Sequence, residues 1–159
     1  MEQTLFPFEI RWAHLEEWEP AMHMAWRTFM KFEAKDYSRE GIRNFKDFIS
    51  GRELYRSFVK GSYQMMVALD KKKVIGMISV RNRNYISLLF VDEKYHKMGI
   101  GKQMILRICK YLKEEMGESF LTVRAAPYAV DFYHKLGFSD TSFEQEVAGI
   151  RATPMKMML

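Results

Sequence analysis

The sequence predicts a single α/β domain with a mixed, mostly antiparallel sheet and helices on both faces. Three observations support this fold class. Apolar residues recur at helical spacing in the first third of the chain, and short β-rich runs replace them in the middle. Turn sequences of a few residues separate these runs, which is typical of an antiparallel meander. A strand, a helix and another strand then follow in succession, and such a crossover predicts one parallel, right-handed pair.

Length and composition indicate an ordinary globular protein. The 159 residues suit one domain over residues 1–159, and 48% are apolar and 28% charged. No apolar run reaches the roughly 18 residues that span a bilayer, so we expect no membrane partner. Met1–Leu5 lack the basic and apolar regions of a secretory signal. The single cysteine, Cys109, excludes an internal disulfide and favours a cytoplasmic location.

The net charge of +5 suits either nucleic acid or a small polyanionic ligand. The basic residues are spread along the chain, and the longest run, Lys71–Lys73, lies in a predicted turn. No helix-turn-helix, zinc or aromatic RNA-binding signature is present, so we expect no nucleic-acid partner. His14 and His23 lack partners at metal-ligand spacing, and we expect no metal site.

The first third of the chain predicts one strand and two helices. Residues 8–13 alternate as a strand does, and apolar residues then recur at helical spacing over residues 16–34. A second helix opens at Ser38, and Gly51 is the residue that would break it. A further short stretch follows at residues 53–58.

The rest of the chain predicts a sheet crossed by two helices. A helix from about residue 100 to residue 116 stops at Gly117, while Pro127 and Gly137 bracket a shorter one. A closing hairpin turns near Ala148 and Gly149. The strands are predicted at residues 63–69, 74–80, 85–91, 119–124, 138–147 and 150–158.

A glycine loop is the first candidate binding site. His96–Lys102 follows a buried strand and opens a helix, where free amides favour an anion and glycine allows close approach. A Walker loop is excluded because Gln103 stands where serine or threonine is needed. A Rossmann fingerprint is excluded because it needs a glycine at the position of Met104.

Two motifs resemble the Gcn5-related N-acetyltransferase (GNAT) family. Its cofactor motif is Gln/Arg-x-x-Gly-x-Gly/Ala, and Gly99-x-Gly101 matches it with His96 in place of the leading residue. Its second landmark is Ala-x-x-Phe/Leu-Tyr-x-x-x-Gly-Phe, which residues 129–138 match in full. The resemblance implies the acyl-CoA N-acyltransferase fold. It also implies an acyltransferase that moves the acetyl group of acetyl-CoA directly to a primary amine of an unidentified small-molecule or peptide acceptor.

The resemblance also implies roles for individual residues. The backbone of one strand would pair with the pantetheine arm of coenzyme A, and the amides of the glycine loop would hold its pyrophosphate. Tyr133 would be the catalytic residue, a general acid that protonates the departing thiolate. The implied cofactor-binding residues are Leu89, Phe90, Val91, Lys97, Met98, Gly99, Ile100, Gly101 and Lys102.

Some positions depart from the family pattern. His96 is expected to brace the loop less well than glutamine or arginine, and Ala126 replaces an asparagine that often contacts the cofactor. Tyr85 stands about where some relatives carry a glutamate base, so no base carries over. A non-catalytic CoA-binding regulatory module on the same fold is therefore the alternative function. Preference for a longer acyl chain and a homodimer are also left open.

Other reactive or aromatic side chains are predicted to be mainly structural. Cys109 lies on the apolar stripe of its helix and is expected to fill the core. His134 points away from Tyr133 and is expected at the surface. Several aromatic residues of the early helices are expected to be mostly core, with part of them lining an acceptor pocket: Trp26, Phe29, Tyr37, Phe45 and Tyr55.

Overall fold

A mixed sheet with helices on both faces forms the architecture of the computed structural model, which describes residues 6–159. Met1–Leu5, in which the sequence predicts no secretory signal, lie outside the described residues. The strands are β1 (Glu9–Trp12), β2 (Gln64–Asp70), β3 (Lys73–Arg81), β4 (Tyr85–Val91), β5 (Phe120–Ala125), β6 (Ser139–Asp140), β7 (Gln145–Val147) and β8 (Ile150–Met158). The helices are α1 (Trp18–Phe32), α2 (Arg39–Ser50), α3 (Arg52–Lys60), α4 (Ile100–Glu114) and α5 (Val130–Leu136).

The sheet order confirms the predicted mixed topology. The strands are arranged β1-β2-β3-β4-β5-β8-β6, with β7 pairing the start of β8. All neighbours are antiparallel except β4 and β5, which the α4 crossover joins in parallel. Their pairing covers only two positions, Tyr85 with Thr122 and Ile86 with Val123. Beyond these two positions the strands separate.

Helices on both faces bury two apolar clusters. One lies between the sheet and α4 and α5, where Met104 and Ile108 of α4 are fully buried. The other lies under the first three helices and includes Phe29 and Leu54. Burying a side chain of this size away from water contributes about 1.5–3 kcal/mol to the stability of the fold. None of the helices in residues 6–159 is long and apolar enough to cross a membrane.

The structure differs from the predicted elements at two places. The helix before Gly51 ends there, as predicted, but the short stretch expected at residues 53–58 is a third helix, α3, which the predicted order of elements did not include. The predicted strand at residues 138–147 is wrong in its middle, because only β6 and β7 are extended and a bend separates them. Pro154 of β8 faces this gap, since its carbonyl accepts a hydrogen bond from the Thr141 amide at 2.9 Å. Proline has no amide hydrogen to return, so the ladder is interrupted there.

The turn between β7 and β8 rests on the start of α2. It lies at Ala148 and Gly149, as predicted, and the Ser38 amide donates to the Gly149 carbonyl at 3.1 Å. Asn44 donates to the Ala148 carbonyl, also at 3.1 Å. Gly41 passes so close that a Cβ at this residue would overlap the Gly149 carbonyl. These contacts fix the hairpin as a cover over the α2 end of the sheet.

Gly41→Ala is expected to destabilise the protein by about 1–3 kcal/mol, because the added methyl group must push the hairpin away from α2. Urea unfolding measures the free energy. The neighbouring variant Glu40→Ala is the control, since Glu40 is exposed and its removal should change stability by no more than about 0.5 kcal/mol. Equal stability of Gly41→Ala and the wild type would contradict this packing.

Candidate active site

The separation of β4 from β5 leaves one edge of β4 open. On its other edge β4 pairs with β3 as far as Val91. Towards β5, the described chain provides no strand partner after Ile86. A register shift opposite Ser79 and Val80 marks a bulge in β4 next to the point of separation. Peptide groups on such an edge can hydrogen-bond to an extended ligand as they would to an added strand. Leu89, Phe90 and Val91, the predicted pantetheine residues, lie on this segment.

The predicted glycine loop ends at the N-terminus of α4, next to this open edge. Gly99 is the N-cap residue, and its φ of 80° lies in the left-handed region that glycine adopts without strain. Lys97 also has a positive φ, 64°. No side chain caps the helix and its first turn contains no acidic residue. The amides of Ile100, Gly101 and Lys102 are therefore available to an anion.

Contacts of His96 and Gly101 hold the loop in place. The His96 imidazole hydrogen-bonds to the Val91 carbonyl at 2.7 Å, and its ring lies 5.0 Å from that of Phe32. His96 thus braces the loop to the end of β4. A Cβ at Gly101 would lie 3.1 Å from the Phe132 ring, so this glycine allows α5 to pack closely on α4.

A cavity of about 560 Å³ extends from the open edge of β4 to the ends of α1 and α2. Backbone and side chains of β4 and β5 form one wall, and the β7–β8 turn covers part of it. Several polar side chains line this cavity with the methyl group of Ala126: Glu33, Tyr37, Tyr85, Arg124 and Tyr133. The cavity thus combines extended backbone with ionisable groups, and the N-terminus of α4 lies beside Val91, where β4 ends.

Tyr133, the predicted catalytic residue, lies in this cavity wall. The residue is 4% exposed, and its ring packs edge-on against Phe132 and Phe138. Within residues 6–159 its hydroxyl has no hydrogen-bond partner, whereas every fully enclosed side-chain nitrogen or oxygen has one. The hydroxyl is therefore open to the cavity. Burial raises the pKa of Tyr133 above its usual value, so the phenol stays protonated at neutral pH.

Glu33 is a potential site residue that the sequence reasoning missed. It is the C-cap residue of α1, and its side chain lines the same cavity as Tyr133. Burial raises the pKa of Glu33 to about 7, and the nearby Asp36 adds to the shift. The helical pattern of residues 16–34 gave no signal for Glu33, because polar residues are expected on the exposed face of such a helix. One signal was available, because a carboxylate at a helix C-terminus opposes the helix dipole.

Of the remaining candidates, Tyr85 lines the cavity, whereas Cys109 and His134 lie outside it. The guanidinium of Arg81 lies 5.4 Å from the ring centre of Tyr85. Cys109 is half-buried away from the cavity, and burial raises its pKa to about 11, so it is an unreactive packing thiol, as predicted. His134 is at the surface, as predicted, and bonds to Asp140 at 2.6 Å.

The aromatic residues of the early helices divide as the sequence analysis expected. Tyr37 and Phe45 reach the cavity. Phe29 is buried in the core under α1, and the partly buried Trp26 stacks against it with ring centres 5.9 Å apart. Tyr55 lies instead beside a separate groove between the first three helices.

Comparison with known proteins finds similarity to acetyltransferases. A family model described as an acetyltransferase (GNAT) domain matches residues 33–159. Among curated proteins, the uncharacterized N-acetyltransferase YafP of Escherichia coli K12 is 35% identical over 75 residues, which cover 47% of this chain. The matched region spans 45% of that relative, less than half of its length.

Solved structures show the same fold. A GCN5-related N-acetyltransferase from Rhodopseudomonas palustris superposes with a TM-score of 0.83 at 19% identity, over 100% of both chains. The PaiA N-acetyltransferase of Thermoplasma acidophilum, solved in complex with coenzyme A, gives 0.80 at 21% identity, over 96% of this chain and 99% of its own. At these identities the likeness concerns the fold.

Proposed function

The chain belongs to the GNAT acetyltransferase family, and from this premise we propose that it transfers the acetyl group of acetyl-CoA directly to a primary amine of a small molecule or peptide. Family membership confirms the predicted enzyme class, an acyltransferase that uses acetyl-CoA. One observation carries the proposal further. The open edge of β4 and Tyr133 line one cavity, and the uncapped N-terminus of α4 lies beside Val91 at the end of the same strand.

The residues present fit an acyl-CoA. Its pantetheine arm is an extended chain of amides, which matches the edge of β4 at Leu89–Val91 that faces away from β3. Its pyrophosphate is an anion, which matches the free amides that follow Gly99. Lys97 and Lys102 are exposed beside these amides and add positive charge. When bound, acetyl-CoA supplies a thioester whose carbonyl carbon is open to attack by an amine.

Tyr133 acts as the general acid in this proposal. Its hydroxyl would give a proton from Oη to the departing sulfur, so that the product leaves as a neutral thiol, and the phenolate would regain a proton from solvent through the open cavity. Because burial keeps the pKa of the phenol high, the proton is present at every physiological pH. The rings of Phe132 and Phe138 fix the orientation of the Tyr133 side chain, so less conformational entropy is lost when the reactive geometry forms.

Acetyl-CoA is expected to stabilise the folded protein, since a ligand that binds only the native state raises the melting temperature. At 100 times its dissociation constant the gain is about 2.7 kcal/mol, or roughly 5–10 °C for a chain of this length. Thermal unfolding with millimolar acetyl-CoA measures it. Gly101→Asp should abolish the shift by placing a negative charge among the loop amides.

Gly101→Asp also crowds the Phe132 ring, so circular dichroism must show that this variant folds. Lys102→Ala is the companion variant, which adds no side-chain volume. Loss of one lysine should weaken binding without changing the fold, and the effect should shrink at high salt. A wild-type melting curve that millimolar acetyl-CoA does not move would overturn the assignment of the cofactor site.

Tyr133→Phe is expected to lower kcat by about 10²- to 10⁴-fold while the affinity for acetyl-CoA is nearly unchanged. Its melting temperature should stay close to that of the wild type, because the hydroxyl has no partner within residues 6–159 to lose. Thiol release measures turnover, and calorimetry measures affinity. Tyr128→Phe, on the exposed ring next to the same helix, is the control.

Unchanged turnover of Tyr133→Phe, with the chemical step shown to limit the rate, would make Tyr133 a core residue only. The alternative of a non-catalytic CoA-binding module predicts a different result for the wild type. It predicts a melting shift with acetyl-CoA but no thiol release above background with any amine.

A further inference from the structure

An acceptor amine has to lose a proton before it can attack a carbonyl carbon. An alkylamine with a pKa near 10.4 is neutral in only about one molecule in 10³ at pH 7. Tyr85, where some members of the family carry a glutamate, has no carboxylate to offer. The cavity does contain one carboxylate, on a different element, at the end of α1.

The position of the Glu33 carboxylate lowers the stability of the fold, which is unusual for a residue with only a structural role. As the C-cap of α1 it faces the negative end of the helix dipole, with the carbonyl groups of the last turn behind it. Within residues 6–159 no basic side chain or hydrogen-bond donor pairs with its carboxylate. Since every fully enclosed polar side-chain atom there has a partner, the carboxylate is open to the cavity. An unpaired carboxylate that faces a cavity, rather than solvent or an arginine, is typical of a functional group.

We infer that Glu33 is the catalytic base that takes a proton from the ammonium group of the acceptor, an inference that rests on the proposed acetyl transfer. One proton passes from the nitrogen to a carboxylate oxygen of Glu33, and the nitrogen keeps the electron pair of the broken N–H bond. The amine is then neutral and nucleophilic. The protonated carboxyl returns its proton to solvent through the open cavity before the next turnover.

The surroundings of Glu33 set the pH at which it can act. Burial, with Asp36 next to it, raises its pKa to about 7, so the carboxyl is close to its titration point at neutral pH. Asp36 is partly neutralised by Arg151 of β8, at 3.6 Å. Other charged or titratable groups line the same cavity from every side: Tyr37 beyond the end of α1, Arg81 of β3, Tyr85 of β4, Arg124 of β5 and Tyr133 of α5.

Glu33 and Tyr133 make a matched pair of base and acid. Burial raises both pKa values, and the negative charge of Glu33 raises that of Tyr133 further. The carboxyl therefore titrates near neutral pH, while the phenol remains protonated throughout. Two groups of one cavity whose pKa values are separated in this way can accept and donate protons at the same pH.

The test is the pH dependence of kcat/KM with two probes, glycinamide and Nα-acetyl-lysine amide, whose amines have pKa values near about 8 and 10.4. The wild type should show the same ascending limb near pH 7 with both. Glu33→Gln should lower kcat/KM by about 10²- to 10⁴-fold, and its residual rate should follow the pKa of each amine. Asp36→Asn should move the wild-type limb to lower pH without removing it, and Glu40→Gln, on the exposed side of α2, should leave it unchanged.

A second measurement needs no acceptor. The folded-state pKa of Glu33 lies above the value near 4.5 of the free side chain, so its cost to stability appears as pH rises from about 4.5 to 7 and is full above that range. Glutamine is neutral at every pH. Glu33→Gln should therefore melt several degrees higher than the wild type at pH 8 and at nearly the same temperature at pH 4.

The outcomes separate the two levels of the proposal. Calorimetry should show that Glu33→Gln binds acetyl-CoA as the wild type does. A wild type that neither binds acetyl-CoA nor releases thiol overturns the proposed function itself. If the wild type acetylates either probe and Glu33→Gln is equally active, only the role of Glu33 is overturned. The same holds if the difference in melting temperature between Glu33→Gln and the wild type is equal at pH 4 and pH 8.

Discussion

The short pairing between β4 and β5 is the constraint on which the site depends. Two paired positions, at Tyr85 and Ile86, hold the strands in register, and beyond them the strands separate. The α4 crossover joins the strands, so the N-terminus of α4 has to lie beside the opening. Unsatisfied peptide groups on an open strand edge and at a helix N-terminus are both costly unless water or a ligand satisfies them. The fold thus presents them where one extended anionic ligand can reach both.

The two faces of the sheet contribute different chemistry to this opening. From the α4 and α5 side comes Tyr133, fixed by Phe132 and Phe138 in a packed apolar cluster. From the α1 and α2 side comes Glu33, with a cover formed by the β7–β8 turn on α2. The apolar surroundings raise the pKa of Tyr133, so its phenol stays protonated. Partial burial at the end of α1 raises the pKa of Glu33 towards neutral pH. One cavity can therefore combine an acid and a base only because the splayed strands connect both faces.

Local patterns predicted the parts of the site that lie close together in sequence. The glycine loop after β4, the α4 stripe and the motif around Tyr133 could all be placed from the residues, and family membership supports the fold they imply. Contacts between distant segments could not be predicted in this way. The brace from His96 to Val91 needs a side chain that turns back over the loop, and the seat of Gly149 on Gly41 joins segments more than 100 residues apart. The break between β6 and β7 depends on Pro154, which follows both strands in the chain.

Glu33 shows why an amphipathic pattern can conceal a functional residue. Its polar side chain ends a helix where a polar residue is expected, so the hydrophobic period gives no signal. The sign of its charge does, because the C-terminus of a helix favours cations and α1 supplies Lys31 in its last turn. The carboxylate of Glu33, two residues after that lysine and without an ion-pair partner in the described chain, reduces stability. Such a cost persists in a folded protein when the group serves binding or catalysis. A helix end whose charge opposes the dipole is therefore a feature worth testing in any sequence where the catalytic base has no recognisable position.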